Sequence, residues 1–204
     1  MKWTAFIERL FKEAEPYLEV RGDMLHTRVA HERALALTAG EGGDRGIVEP
    51  AIVLHDVGWS KVDPEKISMA FGVHADGKAA AREVNRIHEI RGAVIAGRIL
   101  ASLSYDKRLT ERIVRIIERH DSGTETDSIE EKLVKDADKL WRYSKRGFWS
   151  EIQRQGVDPV FFHERLARRR EEWFITPTAL RMAAEDLVRR TKELKIPEGP
   201  SPEA

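Results

Sequence analysis

The chain has 204 residues, and its 35 Lys and Arg are balanced by 35 Asp and Glu to a formal net charge of zero. It therefore lacks the basic excess of a nucleic-acid or anionic-membrane binder, and neither partner is expected. There is no cysteine, which excludes disulfides, thiolate metal sites, iron–sulfur clusters and thiol nucleophiles, so any metal must be held by His, Asp or Glu.

Taken in chain order, the hydrophobic pattern predicts an all-α protein. Trp3, Ile7, Leu10 and Phe11 recur at helical spacing, which predicts an amphipathic helix over residues 2–18. No secretory apolar region intervenes before Glu8, Lys12 and Glu13, and no run approaches the roughly 18–20 apolar residues that span a bilayer, so a cytoplasmic protein is expected. A second helix runs over residues 24–39 and is ended by Gly40, Gly42 and Gly43. A third covers residues 45–55. Its run Ala51-Ile52-Val53-Leu54 is short enough for a buried strand, but nothing nearby alternates with period two, so there is no sheet to join and a buried helix is the reading.

Asp63-Pro64 is an N-cap and first-turn pair that starts a short helix. Residues 72–77 read as a loop. A helix starting at residue 79 or 85 carries Ile90, Val94, Ile95, Ile99 and Leu100 to residue 103, and the next carries Leu109, Ile113, Val114, Ile116 and Ile117. A polar loop over 121–128 leads into one helix over 129–151. Thr176-Pro177 caps a last long helix with Leu180, Ala183, Ala184, Leu187 and Val188 on one face. Trp141, Phe148, Trp149, Phe161, Phe162, Trp173 and Phe174 are expected to close the packing over the bundle. Residues 1–196 read as one helical domain and 197–204, with Pro197, Pro200 and Pro202, as a flexible tail.

The seven histidines carry the functional information. His55-Asp56 ends the buried apolar run, where an unsatisfied charge costs several kcal/mol. An adjacent imidazole and carboxylate can both reach one cation where a helix ends. The plainer alternative is an exposed pair before the Val57-Gly58 turn. Upstream, His26 opens a helix after Gly22-Asp23. Downstream, Asp138 stands in Lys135-Asp136-Ala137-Asp138-Lys139-Leu140, where charges interrupt the apolar entry of a helix.

The series His26 … His55-Asp56 … Asp138 resembles the HD-domain superfamily of metal-dependent phosphohydrolases. His26-Thr27-Arg28-Val29 resembles the opening motif, Ala51-Ile52-Val53-Leu54-His55-Asp56-Val57-Gly58 the central one, and Asp136-Ala137-Asp138-Lys139-Leu140 the closing one. Together they cover about residues 20–145. The resemblance implies an all-α, HD-domain-like helical bundle in which His26, His55, Asp56 and Asp138 bind a divalent metal. Two imidazoles and two carboxylates suit Mn, Fe, Co, Ni or Zn. Such an ion lowers the pKa of water toward neutrality and makes it a nucleophile. Asp56 can bridge to a second ion or orient that water.

In relatives, histidines placed like His88 and His120 bind a second metal or contact phosphate, and His120 is also placed to act as a general acid. Both are alternatively helix-end histidines stabilised by the dipole. Lys139 follows the aspartate ligand, as does a lysine that touches substrate phosphate in some relatives; a solvated helix lysine is the alternative. Asp136 and Asp23 are candidates for holding a ligand imidazole by its other N–H. Where many members have Lys after Asp-(Ile/Val)-Gly, this chain has Trp59, with Lys61 two residues later. Trp59 is a candidate for stacking on a base or sugar, or for packing.

His31 lies roughly 140° around the helix from His26, off the ligand face. His74 falls in the 72–77 loop and is a candidate substrate contact. His163 lies beyond the resemblance and reads as structural. Arg165, Arg168, Arg169 and Arg170 read as a solvated face neutralised by Glu171 and Glu172. The expected activity is hydrolysis of a phosphate ester, most simply of a nucleotide, by metal-activated water. The alternatives are an HD-fold di-iron oxygenase and a non-catalytic, metal-stabilised binding or regulatory module. The partner implied is one small phosphorylated molecule, and the sequence is compatible with a homo-oligomer.

Overall fold

The computed structural model describes residues 3–67, Ala70 and residues 79–196, and every regular element among them is helical. The order is α1 (Trp3–Leu18), α2 (Met24–Glu41), α3 (Arg45–Leu54), a 3-10 turn (Val57–Lys61), α4 (Pro64–Ile67), α5 (Ala79–Ser102), α6 (Lys107–Ile117), α7 (Ile129–Leu140), a second 3-10 turn (Trp141–Tyr143), α8 (Lys145–Gln155), α9 (Pro159–Trp173) and α10 (Pro177–Leu194). No described helix is long and apolar enough to cross a membrane. The expected 72–77 loop with His74, and the tail 197–204, lie outside the described residues.

The middle of the fold is α3, surrounded by α1, α2, α6 and α7. Every residue from Ile47 to Leu54 is buried, which is why the run reads as apolar without a helical stripe. Pro50 stands inside this helix and has no N–H for the carbonyl of Gly46, a loss that normally breaks a helix. Here the Tyr105 hydroxyl donates to that carbonyl at 2.6 Å. Burial holds the Tyr105 pKa up at about 12, so the phenol keeps its proton. Around α3 the apolar faces of α1 (Phe6, Ile7, Leu10, Phe11, Ala14, Leu18), α5, α6, α7 and α10 join one core. Each fully buried Leu or Ile in it contributes about 1.5–3 kcal/mol.

The helix expected over 129–151 is two helices. Ser144 adopts an extended backbone, and its hydroxyl accepts from Gly147 N–H, ending one helical run and capping the next. Gly147 packs so closely on Trp141 that an added Cβ would lie 1.8 Å from the Trp141 carbonyl oxygen. The sequence reading also missed α9, although Asp158-Pro159 is the same N-cap and first-turn signal as Asp63-Pro64. Gly156, at φ 63°, separates α8 from α9.

Glu49 is the charged residue of α3 buried within the core. It accepts from Trp3 Nε1 at 2.8 Å, Arg45 Nε at 2.7 Å and His31 Nε2 at 2.9 Å. Burial pushes its pKa up, but the bonds from His31, Trp3 and Arg45 outweigh this and bring it down to about 2. A carboxylate depressed in the folded state stabilises the fold above its ordinary pKa and loses that contribution as pH falls toward the folded value. Between pH 4.5 and 2 the protein is expected to lose about 3 kcal/mol through this residue. Denaturant unfolding of Glu49→Gln should show lower stability at pH 7 and a flatter acid limb than the parent.

Candidate metal centre

The core helices bring His26, His55, Asp56 and Asp138 together. His26 is in the first turn of α2, His55 and Asp56 follow α3, and Asp138 is in the last turn of α7. His26 Nε2 lies 2.9 Å from His55 Nε2, 3.2 Å from Asp138 Oδ1 and 3.4 Å from Asp56 Oδ2. His55 Nε2 lies 3.5 Å from Asp56 Oδ2 and 3.6 Å from Asp138 Oδ1. All four residues are buried.

A second group faces the other oxygen of Asp56. His88 in α5 and His120 beyond α6 place their Nε2 atoms 3.8 and 3.7 Å from Asp56 Oδ1, and 3.3 Å from each other. Asp121 joins them, its Oδ2 3.6 Å from His88 Nε2 and 4.0 Å from that of His120. The sequence reading did not assign Asp121 a role, although His120-Asp121 repeats the His55-Asp56 dipeptide at another helix end.

Ring chemistry shows that the cluster fits cations. His55 Nδ1 lies 2.7 Å from the Ile52 carbonyl oxygen and His120 Nδ1 lies 2.8 Å from that of Ile117. A carbonyl only accepts, so each Nδ1 carries a hydrogen, and it is Nε2 whose lone pair turns into the cluster when the ring is neutral. Two lone pairs and the carboxylates around them repel unless positive charge lies between them. The local field has that sign. Burial pushes the pKa of His120 down, but the Asp56 carboxylate 3.7 Å away and the charges of Asp121 and Glu89 outweigh this and raise it to about 10. Burial likewise opposes the charge on His55, and Asp56 and Asp138 raise its pKa regardless. Burial pushes Asp56 and Asp138 up, yet the surrounding imidazoles, with Arg21 and Arg142, hold both well below the usual carboxylate range. His88 moves the other way: burial and the neighbouring His120 charge hold its pKa low and keep its lone pair free.

Several residues missed in the sequence build this geometry. Glu89 is buried beside His88 and accepts from the N–H groups of Asp121 and Ser122 at 2.8 and 2.9 Å and from the Ser122 hydroxyl at 2.5 Å. Lys135, in α7, donates to the carbonyls of Arg119, Gly123 and His120 at 2.5, 3.0 and 3.1 Å. These two ties hold the turn bearing His120 and Asp121. Arg21 reaches Asp23 at 2.5 Å and Asp56 at 3.5 Å, and Arg142 lies 4.0 Å from Asp138 Oδ1. A Cβ on Gly58 would lie 1.9 Å from the His88 carbonyl oxygen and 2.5 Å from Gly92 N, so only glycine lets the turn after Asp56 lie flat on α5.

Other candidates sit elsewhere. Lys139 is half-buried and makes no hydrogen bond or ion pair among the described residues, while Arg142 is the cation beside Asp138. Asp136 holds no imidazole: it accepts from Ile175 N–H, Thr176 N–H and the Thr176 hydroxyl at 2.9, 2.9 and 2.7 Å, and so ties α7 to the start of α10. Asp23 pairs with Arg21. Trp59 is buried, with His88 against one face and the Arg21 guanidinium over the ring, so it is closed to a base or sugar. His31 is spent on Glu49, and His163 on the Leu187 carbonyl and the Thr191 hydroxyl. Lys61 is exposed. Arg168, Arg169 and Arg170 pair with Glu164, Glu172 and Glu171 along α9, and Arg165 lies over Trp173.

An all-helical fold that closes His and Asp side chains from separate helices around a common centre defines the class. The family model described as HD domain matches residues 26–142, and the chain belongs to that family. A comparison with curated proteins finds no match. Among solved structures, an HD-superfamily hydrolase from Bacillus thuringiensis is similar at a TM-score of 0.62 and 22% identity, covering 94% of each chain. At that identity the likeness is one of fold.

Two outcomes follow from this geometry. Gly58→Ala is expected to push the His55-Asp56 turn off α5 and weaken Mn2+ binding, with a drop in melting temperature; unchanged Mn2+ binding and stability would contradict the close approach. Because an imidazole binds a metal only through a deprotonated nitrogen, and the surrounding carboxylates favour the protonated rings of His120 and His55, Mn2+ uptake should release protons and its affinity should rise with pH from 6 to 9. Calorimetry in buffers of different ionisation enthalpy reads that release directly.

Proposed function

We propose that this chain is a metal-dependent phosphohydrolase that cleaves a phosphate ester, with a nucleotide as the substrate class. The observation that carries the reading is the division of Asp56: Oδ2 turns toward His26 and His55, and Oδ1 toward His88 and His120. On this reading His26, His55, Asp56 and Asp138 hold one ion, and Asp56, His88, His120 and Asp121 hold a second, drawn from Mn, Fe, Co, Ni or Zn. Bound ions supply Lewis acidity, lowering the pKa of water and polarising a phosphoryl oxygen.

The chain's own residues do the rest. The Nδ1 hydrogen bonds of His55 and His120 fix which nitrogen faces the centre. Arg142 and Lys139 supply positive charge on the α7 side of the centre, where an anionic phosphate can be held and its developing charge offset. His120 Nε2 faces Asp56, so the reading assigns it to holding an ion rather than to protonating a leaving group. Closely apposed His88 and His120 also fit a di-iron oxygenase, which would be marked by two irons per chain and oxygen-dependent turnover.

Elemental analysis of the purified chain and of His55→Ala and Asp56→Ala, beside a screen of nucleoside mono-, di- and triphosphates, phosphodiesters and cyclic dinucleotides, tests the proposal. The expected result is two ions per chain in the parent, loss of both in Asp56→Ala, loss of at least one in His55→Ala, and phosphoester turnover only in the parent. Unchanged metal content in both variants would overturn the ligand assignment. Metal-loaded protein without turnover on any phosphoester would favour a binding module.

A further inference from the structure

His55 and His120 are each held by an Nδ1 hydrogen bond to a backbone carbonyl three residues earlier. His88 is not. Its ring is fully buried, and its Nδ1 has no hydrogen-bond partner among the described residues. A free imidazole in that situation can turn about its side-chain bonds, which undoes the aim of Nε2. The ring is held another way. Trp59 stacks on it with ring centroids 3.9 Å apart and planes within 12°. The Arg21 guanidinium lies 4.7 Å from the Trp59 ring centroid and is itself tied to Asp23. Trp59 also donates from Nε1 to Asp56 Oδ1 at 3.0 Å, the oxygen that faces His88. Trp59 also belongs to a small apolar cluster with Val62, Ala70 and Val84.

We infer that Trp59 is a positioning residue for the second ion: the face of its indole aims His88, doing by stacking what a carbonyl does for His55 and His120. Aromatic ring contacts are worth about 0.5–1.5 kcal/mol beyond the area they bury. Groups that orient metal ligands change metal affinity by roughly ten- to hundredfold when lost. The inference rests on the two-ion reading above and goes further, because it assigns a role to the residue where this sequence departs from the lysine common in its relatives. It also predicts that the two ions respond differently to one substitution.

The probe is Mn2+, titrated by calorimetry and equilibrium dialysis into the parent, Trp59→Phe and Trp59→Met. Phe keeps a ring face against His88, whereas Met fills the space with a flexible chain. The parent should take two Mn2+. Trp59→Met should keep the first at parental affinity, which also shows that the fold is intact, and bind the second roughly ten- to hundredfold more weakly. Trp59→Phe should recover most of that loss, to within about threefold of the parent. A parent that binds one Mn2+ or none overturns both the two-ion reading and this inference. A parent that binds two, with second-ion affinity unchanged in Trp59→Met or equal loss of both ions, overturns the inference alone. If Trp59→Met does not fold, Trp59→Phe decides: retention of the second ion supports the stacking role, and a loss of tenfold or more contradicts it.

Discussion

Asp56 presents one carboxylate to two sets of imidazoles, and both sets are buried. A lone carboxylate in that place would be very costly, so its position is stable only while positive charge stands on both sides of it. Much of the surrounding construction follows from this. The run from Ile47 to Leu54 carries the residue to the middle of the molecule. Gly58 lets the chain turn away against α5 without lifting it. Trp59 and Arg21 take up the parts of the carboxylate that the histidines leave open. The pattern of pKa shifts has the same origin, since His55 and His120 are raised by the charge that Asp56 helps to supply.

The two sides of Asp56 are built by different physics. His26, His55 and Asp138 come from α2, α3 and α7, which pack directly on one another through the main apolar core. Their separation is fixed by close-packed side chains that do not yield easily. His88, His120 and Asp121 belong to α5 and the turn after α6. There the geometry depends on polar ties, with Glu89 and Lys135 gripping the turn from opposite helices and an indole bearing on His88. Polar ties of this kind have an all-or-none character, because each buried partner left alone costs more than the bond contributed. One side of Asp56 is therefore held by packing and the other by hydrogen bonding.

The sequence made the first half legible and the second only in outline. His55-Asp56 stood out because charge followed an unbroken apolar run, and Asp138 because charges cluster beside apolar residues, although they stand in the last turn of α7 and not at a helix entry. The extent of α1 followed from periodicity and the start of α10 from the Thr176-Pro177 cap, whereas α3 read as a helix only because no strand lay nearby for it to join. What escaped was what depends on contacts between distant segments. Nothing local marks Glu89 as the acceptor for a turn more than thirty residues on, or Lys135 as a donor to three carbonyls, since both look like ordinary helix charges. Asp136 looked like a neighbour of the centre because it is two residues from Asp138, but the helix points it toward the opposite side. The break at Ser144 was missed because hydrophobic spacing continues across it, and α9 because its charged surface dilutes its apolar stripe.

Asp136 has one more consequence. Among the described residues its carboxylate accepts hydrogen bonds from the segment Ile175–Thr176, at the entrance to the last helix, while its own helix carries Asp138. During synthesis His26, His55 and Asp56 leave the ribosome long before those donors do. Until the carboxy-terminal segment arrives, Asp136 lacks the three donors that hold it in the finished fold, and α7 is not yet tied to the start of α10. One carboxylate on the far side of α7 thus couples the carboxy-terminal helix to the helix that carries Asp138.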